Sequence, residues 1–227
     1  MDIHTKRAVL SRIYDIYDNF LDDLEVACEK HCARCCTGNV TLTTIEGCMI
    51  VEHVLSGGRA DLLEEIEKGL SGNRFRPKMT TNMLAELCAE GKDVQDDIAD
   101  FTGTSCPLLQ KDECPVYPVR PFMCRCMVSK KDCRDTGYAD VDSFVVSVNT
   151  LFLQTIEHVD SAGCSGNLSD VVLLLSPEDN RRRYDENSLN ASGRELVSNR
   201  PLKVLMIPPE HRERIAPILR ALRDIRV

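Results

Sequence analysis

Residues 106–126 read CPLLQKDECPVYPVRPFMCRC, and this stretch decides the kind of fold that the chain can adopt. Proline fixes the backbone angle φ and has no N–H to donate, so a run this rich in proline cannot continue a regular helix. The irregular pattern extends from Gly103 to Gly137 and predicts a cysteine-rich loop. The loop contains four prolines and five cysteines, namely Pro107, Pro115, Pro118 and Pro121, and Cys106, Cys114, Cys124, Cys126 and Cys133.

A second group of four cysteines falls within nine residues upstream of the loop, namely Cys28, Cys32, Cys35 and Cys36. Apolar residues recur at steps of three and four from Leu10 to Leu24 and predict a long amphipathic helix over residues 3–30. If that helix continued, the four cysteines would stand at i, i+4, i+7 and i+8 and share an arc of about 100°. Gly38 is expected to end it.

The remaining apolar periodicity is helical and predicts a mostly α fold, an irregular helical domain that carries the cysteine-rich loop. We expect one domain over residues 1–227, with a metal-binding part at 28–133 and a helical extension at 138–227. Capping residues and glycines mark the expected helix boundaries. Helices are expected from Thr44 to Leu55, from Asp61 to Leu70, from Thr81 to Glu90, from Asp140 to Asp160, over 168–176 and over 209–226 with a kink or restart at Pro217. The polar stretch from Pro177 to Arg200 is expected to be a loop, and Leu202 to Ile207 a short extended segment.

The cysteine content and the lengths of the apolar runs narrow the class of protein to which the chain can belong. Twelve cysteines among 227 residues are fewer than the roughly 8–10% that marks a secreted disulfide scaffold. The N-terminus lacks an apolar signal region, and the longest aliphatic run, Val171–Leu175, is too short to span a membrane. A cytoplasmic location is therefore expected, with no membrane contact. Clustered thiols in that reducing compartment are typically metal ligands or redox groups rather than disulfides.

The formal net charge of −8 argues against nucleic acid as a partner, because such binding depends on neutralising phosphates. The C-terminal tail is the exception. From Arg200 onward, seven basic residues face three acidic ones, namely Arg200, Lys203, Arg212, Arg214, Arg220, Arg223 and Arg226 against Glu210, Glu213 and Asp224. This tail is either a solvated helix face or a docking surface for an acidic protein partner.

The two cysteine groups supply more sulfur than one metal ion needs, because a zinc ion or a cubane iron–sulfur cluster is satisfied by four thiolates. Close spacings such as Cys32-x2-Cys35 present two sulfurs to one metal, and the distant loop would supply the others. A thiolate-bound metal carries negative charge. Tyr117, Arg120 and Arg125 are candidate hydrogen-bond donors to the sulfurs of such a site.

These motifs resemble the bacterial cysteine-cluster proteins described as zinc- or iron-chelating. The family pattern is Cys-x2-Cys-Cys, then Cys-Pro-x-Leu, then Cys-x-x-Tyr-x-x-Arg-Pro-x-x-Cys-Arg. It is matched here by Cys32, Cys35 and Cys36, by Cys106, Pro107 and Leu109, and by Cys114, Tyr117, Arg120, Pro121, Cys124 and Arg125. The resemblance implies that these cysteines, with Cys28, bind zinc or iron. Similar cysteine groups also occur in a flagellin lysine methylase that looks iron–sulfur dependent.

The sequence defines the roles of the other cysteines and of the histidines less clearly. Cys126 and Cys133 lie outside the core pattern, and either is a candidate for an eighth ligand. Cys48 and Cys88 lie at helical spacing beside apolar residues and are expected in the core. His31 lies inside the first group and could replace a thiolate.

The sequence therefore predicts a metal-binding protein that holds an iron–sulfur cluster or zinc and serves a redox or electron-transfer role. The cluster is favoured over zinc because seven or eight sulfurs exceed one zinc site. Three alternatives stay open. They are an iron–sulfur-dependent methyl-transfer enzyme, a structural zinc protein that mediates interactions, and an enzyme similar to the radical S-adenosylmethionine family, whose Cys-x3-Cys-x2-Cys spacing recurs at Cys28, Cys32 and Cys35. That last family resembles a partial α/β barrel, which conflicts with the helical pattern.

Overall fold

The structure is a computed structural model that describes residues 1–29, 31–71, 74–94, 105–191 and 195–226. Within these ranges the chain is mostly α-helical and includes one small sheet. The helices are α1 (Ile3–Asp22), α2 (Thr44–Ser56), α3 (Asp61–Lys68), α4 (Thr81–Ala89), α5 (Phe122–Arg125), α6 (Cys133–Thr136), α7 (Ser143–Val159), α8 (Leu168–Leu175), α9 (Glu178–Asp185) and α10 (Arg212–Arg223). The strands are β1 (Thr41–Thr43), β2 (Cys164–Asn167) and β3 (Val197–Ser198). The mostly α class predicted from the sequence is confirmed.

The sheet is antiparallel and joins distant parts of the chain in the order β1-β2-β3. Thr41 pairs with Asn167 in β2, and Cys164 at the other end of β2 pairs with Ser198 in β3. The aromatic centre of the core lies between α1, α5 and α7, where Tyr17 meets Phe122 and Phe152 with ring centroids 4.7 and 5.0 Å away. No helix in the described ranges is long and apolar enough to cross a membrane.

The first helix is shorter than predicted. It ends at Asp22 with Asp23 as its C-cap and has no basic residue in its last turn. Acidic groups at a helix C-terminus oppose the macrodipole, so continuing the helix is unfavourable there. The backbone N–H of Ala27 instead donates to the carbonyl of Ser129 (2.8 Å). The first cysteine group therefore lies in an irregular segment, and the prediction that it shares one helix face is wrong.

Other predicted helices are present where the sequence placed them, but some caps, loops and buried residues differ from the prediction. Asp142, not Asp140, caps α7 by accepting from the N–H of Phe144 (2.8 Å), because the backbone of Asp140 is bonded to the 129–130 turn. The 177–200 stretch is not all loop, since it contains α9. Cys48 is buried as predicted, whereas Cys88 is exposed on α4. The 202–207 segment lies outside the short strand β3.

The remaining expected boundaries differ by one to three residues, the largest difference being at the final helix, which runs from Arg212 to Arg223. Thr43 rather than Thr44 caps α2, and Ala60 rather than Asp61 precedes α3. The final helix is continuous through Pro217 rather than restarted there. These shifts leave each element where its apolar spacing placed it.

Gly163 lies at a position with almost no room for a side chain. A Cβ there would lie 2.0 Å from Thr44 Oγ1 and 2.5 Å from Asp160 Oδ2, two atoms that hydrogen-bond to each other at 2.6 Å. We therefore expect Gly163→Ala to lower the free energy of unfolding by about 2–3 kcal/mol through overpacking.

Chemical denaturation of Gly163→Ala and of Gly69→Ala checks this expectation. Among the described residues, a Cβ at Gly69 meets only Pro107 Cβ at 3.6 Å, so the control should stay within about 0.5 kcal/mol of the wild type. Equal stability of the two variants would contradict the close packing at Gly163.

Candidate metal centre

A cavity of about 920 Å³ lies where the two cysteine groups meet. Its lining includes seven cysteines from both groups, namely Cys28, Cys32, Cys35, Cys36, Cys106, Cys114 and Cys124. All twelve cysteines of the chain are free thiols. Cysteines from segments about 80 residues apart in sequence therefore line one cavity.

Two Cys-Pro turns place Cys106 and Cys114 on the cavity wall. In each, the N–H three residues on donates to the cysteine carbonyl, from Leu109 and from Tyr117, both at 3.0 Å. Burial raises the pKa of both thiols. Backbone N–H groups that bond to the sulfur oppose this rise in pKa. At Cys106 they are the N–H groups of Leu108 and Leu109, and at Cys114 it is the N–H of Val116. Such N–H···S bonds favour the thiolate form that binds metals.

The short helix α5 supplies Cys124. Its first N–H, at Phe122, donates to Oε1 of the buried Glu46 (2.7 Å), which fixes α5 against α1 and α2. The pKa of Cys124 is raised well above its usual value by burial and by the neighbouring thiols of Cys106 and Cys114. Three thiols from three turns of the loop therefore line the same cavity.

The first cysteine group bridges two parts of the loop. At one end, Cys106 N donates to the carbonyl of Cys36 (3.0 Å), and Thr37 forms a β-bridge with Ser105. At the other end, Cys28 Sγ lies 3.8 Å from the carbonyl of Met127. The segment is thus attached to the beginning of the loop through Cys36 and to its later half through Cys28.

The adjacent thiols of Cys35 and Cys36 interact directly. A hydrogen bond from Cys36 lowers the pKa of Cys35 to about 6. The same bond, with burial, raises the pKa of Cys36. One sulfur of the pair is therefore favoured as a thiolate near neutral pH, which is the protonation state of a metal ligand.

The three predicted donor residues differ in what they do. Arg125 donates to the carbonyls of Arg120 (3.1 Å) and Pro118 (3.2 Å) and forms an ion pair with Asp18 (3.2 Å). It therefore holds the loop together. The guanidinium of Arg120 lies 4.0 Å from the Tyr117 ring centroid and contributes to lowering the pKa of Cys35. Arg120 thus favours the thiolate form of a cavity cysteine.

Cys126 and Cys133 do not line the cavity. Cys126 is buried in the hydrophobic core, where its Sγ donates to the carbonyl of Met123 (3.5 Å) and burial raises its pKa to about 12. Cys133 is partly exposed at the start of α6. His31 does line the cavity, has a left-handed φ of 72°, and places Nδ1 3.6 Å from Glu113 Oε1.

Sequence reasoning missed Glu46, which links the site to the core. Its Oε2 accepts from the N–H and hydroxyl of Thr43, both at 2.9 Å, as a capping box. Its Oε1 accepts from Tyr14 OH (2.8 Å) and from Phe122 N. The Thr-x-x-Glu spacing could have indicated the cap, but the bonds to Tyr14 and Phe122 depend on tertiary packing.

Among the described residues, no group of three or more His, Cys, Asp or Glu side chains has an arrangement that could hold a metal ion as it stands. No protein-family model, curated protein or solved structure matches the chain. The assignment of a function accordingly depends on the chemistry of the cavity itself.

Proposed function

We propose that this protein binds a metal ion or an iron–sulfur cluster through the cysteine thiolates around the cavity. The observation that carries the proposal is that seven cysteines, from segments far apart in sequence, line one cavity. A structural core has no need to gather so many polarizable thiols in one place, whereas soft thiolates are the preferred ligands of zinc and of iron–sulfur clusters.

The chemistry of the thiols fits such a group. Backbone N–H groups bond to the sulfurs of Cys106, Cys114 and Cys28, and hydrogen bonds to sulfur are one way in which proteins tune metal–thiolate sites. Arg120 lies close enough to Cys35 to favour its thiolate. The match to the cysteine-cluster family described above is part of the same proposal, as is a cytoplasmic location, where thiols remain reduced.

An iron–sulfur cluster is favoured over a single zinc ion because the cavity offers more than four sulfurs. Bound there, a cluster would supply one-electron transfer, and zinc would supply structural cross-linking. Cys36, Cys106, Cys114 and Cys124 are partly buried, as is Cys32, and are candidates to hold it. The bound group would then cross-link the chain segments that contain these cysteines.

Elemental analysis tests the proposal directly. We expect full-length protein purified without oxygen to contain either iron with sulfide and a brown colour, or zinc in stoichiometric amount. The Cys124→Ser variant should contain less metal than the matched Cys88→Ser variant, because Cys88 is exposed and lies outside the cavity. Wild-type protein with neither metal, or equal losses in the two variants, would overturn the proposal.

The same cavity favours a second candidate function, an iron–sulfur-dependent enzyme such as a methyltransferase. About 920 Å³ is within the usual size range of small-molecule sites. Its walls away from the sulfurs are largely apolar, and its lining includes exposed Val26, Tyr117 and Met127. Organic molecules with an apolar body are the class of substrate that fits such walls. The radical S-adenosylmethionine alternative is disfavoured by the mostly helical fold.

A structural zinc protein is the third candidate, and chelation separates it from the others. Removal of a structural metal should unfold the chain, since structural zinc supplies on the order of 10–16 kcal/mol in small peptides. Unchanged helicity after chelation would favour a metal carrier or an enzyme. The docking of an acidic partner on the basic face of α10 is a separate proposal, because no α10 residue lines the cavity.

A further inference from the structure

Arg120 lies on the wall of the cysteine-lined cavity, and we propose that its guanidinium anchors the carboxylate of an organic acid with an apolar body. This site is additional to metal binding, because it uses the part of the cavity that a metal leaves free. A zinc ion and its four thiolates are joined by bonds of only about 2.3 Å, whereas the cavity measures about 920 Å³. The cavity therefore has room for both groups.

The side chain of Arg120 differs from those of the other partly buried arginines. Among the described residues, the guanidinium of Arg120 has no hydrogen bond or ion pair, although the residue is partly buried. The other partly buried arginines in the described ranges each donate to a carboxylate or a backbone carbonyl. They are Arg7, Arg59, Arg74, Arg125, Arg181 and Arg200. Because polar groups withdrawn from water are nearly always bonded in folded proteins, the free donors of Arg120 point to a ligand from outside the chain.

The contact with Tyr117 prepares Arg120 to bind an anion. The guanidinium carbon lies 4.0 Å from the centroid of the Tyr117 ring, and stacking of this kind stabilises the cation without using its N–H donors. A planar guanidinium presents parallel N–H groups that match the two oxygens of a carboxylate. In a cavity of lower polarity than water, such a charge-assisted pair is stronger than at an open surface.

The charges around the cavity favour a ligand with a single negative charge. Glu29, Asp112 and Glu113 also line the cavity and are exposed. None of them pairs with Arg120, and Glu113 Oε1 instead lies 3.6 Å from His31 Nδ1. These carboxylates would repel a phosphate ester, which carries more charge and needs more donors than one free guanidinium supplies. A carboxylate, by contrast, is satisfied by a single guanidinium.

The remaining walls determine the body of the ligand. The lining is mainly apolar, and it includes three apolar side chains that are exposed, those of Val26, Tyr117 and Met127. A ligand with an alkyl or aromatic body would remove these side chains from water, which is favourable. Apolar walls with a few placed polar groups are the usual form of a small-molecule site. An acid with an apolar body therefore matches both Arg120 and the walls around it.

Isothermal titration calorimetry of reduced full-length protein with octanoate tests the proposal, and octanamide is the neutral probe of the same length. We expect octanoate to bind at one site per chain, and octanamide to bind at least about 10-fold more weakly. Arg120→Gln should weaken octanoate binding by about 10–100-fold and leave octanamide binding unchanged. Arg120→Lys keeps the charge without the planar fork and should lie between the two. The matched control Arg220→Gln should bind octanoate like the wild type, because Arg220 is exposed on α10 and lies outside the cavity.

The opposite results would overturn the proposal. They are no octanoate binding by the wild type, equal affinities for octanoate and octanamide, or full octanoate affinity in Arg120→Gln. Tighter binding of octyl phosphate than of octanoate would overturn the choice of a carboxylate. The comparison of octanoate with octanamide uses the wild type alone, so it holds even if circular dichroism shows that a variant has lost helicity.

The metal content of the same samples separates this proposal from the proposed function. Wild-type protein that contains metal and binds no octanoate would overturn the carboxylate site and leave metal binding standing. Wild-type protein that binds octanoate through Arg120 but contains neither iron nor zinc would support the carboxylate site and overturn metal binding. Loss of metal from Arg120→Gln with unchanged octanoate affinity would show that Arg120 serves the thiolates instead, and would overturn the carboxylate site.

Discussion

Replacing Asp160 by asparagine is expected to lower the free energy of unfolding by about 3–5 kcal/mol, the cost of breaking a buried ion pair by removing one partner. Asp160 is fully buried at the end of α7, and its Oδ1 lies 3.2 Å from Nζ of Lys6, which is also buried. An asparagine of the same shape leaves the Lys6 ammonium buried without an opposite charge.

The neighbouring hydrogen bonds increase the effect. Oδ2 of Asp160 accepts from the hydroxyl of Thr44 (2.6 Å) and from the N–H of Ile45 (3.0 Å), so it serves the first turn of α2. Oδ1 also accepts from the hydroxyl of Tyr184 in α9. An amide nitrogen at either position would face a donor instead of accepting from it. One carboxylate thus joins α1, α2, α7 and α9.

Denaturant unfolding of Asp160→Asn, Lys6→Met and the double variant measures the coupling between the two charges. We expect the double variant to be more stable than the sum of the single effects predicts, because it removes both charges together. Asp179→Asn is the matched control, since Asp179 forms an exposed pair with Arg182 and should cost less than about 1 kcal/mol. Additive effects at Lys6 and Asp160 would contradict the coupling.

The parts of the fold that sequence predicted well are those with a local cause. Helices α7 and α8 carry apolar residues at helical spacing, and most of those residues are buried. Helix α9 was missed because its sequence is almost entirely polar. It is stabilised by contacts that its own composition does not show, namely the buried Tyr184 and the bonds from Arg181 Nη1 to the carbonyls of Leu175 (2.8 Å) and Ser176 (2.5 Å).

As with the fold, some features of the candidate site have a local cause and could be predicted from the sequence, whereas others depend on distant contacts. Cysteine spacing and proline content indicated which residues belong to it, because both are local properties of the chain. The conformation of the first cysteine group could not be predicted, since it depends on bonds to Ser129 and Cys106, about 70–100 residues further on. For the same reason, sequence alone left the choice between Cys126 and Cys133 open.

Replacing Glu46 by glutamine is the second change with a large expected effect, and it tests how the core supports the site. Each carboxylate oxygen accepts two hydrogen bonds, Oε1 from Tyr14 and Phe122 and Oε2 from Thr43. A glutamine has only one acceptor oxygen, so two buried donors would lose their partner. We expect the free energy of unfolding to fall by about 2–4 kcal/mol.

The same substitution should weaken metal binding, because α5 has no side-chain cap of its own and begins at the N–H that Glu46 holds. Loss of that bond frees the turn that carries Cys124. Residues that orient ligands without touching the metal typically contribute about 10–100-fold in affinity, and we expect a loss in this range when zinc is competed against a chelator. Glu52→Gln on the same helix is the control, since Glu52 pairs with Arg7 at the surface. Glu46→Gln protein that is destabilised but keeps wild-type zinc affinity would show that Glu46 supports the core alone and does not position Cys124.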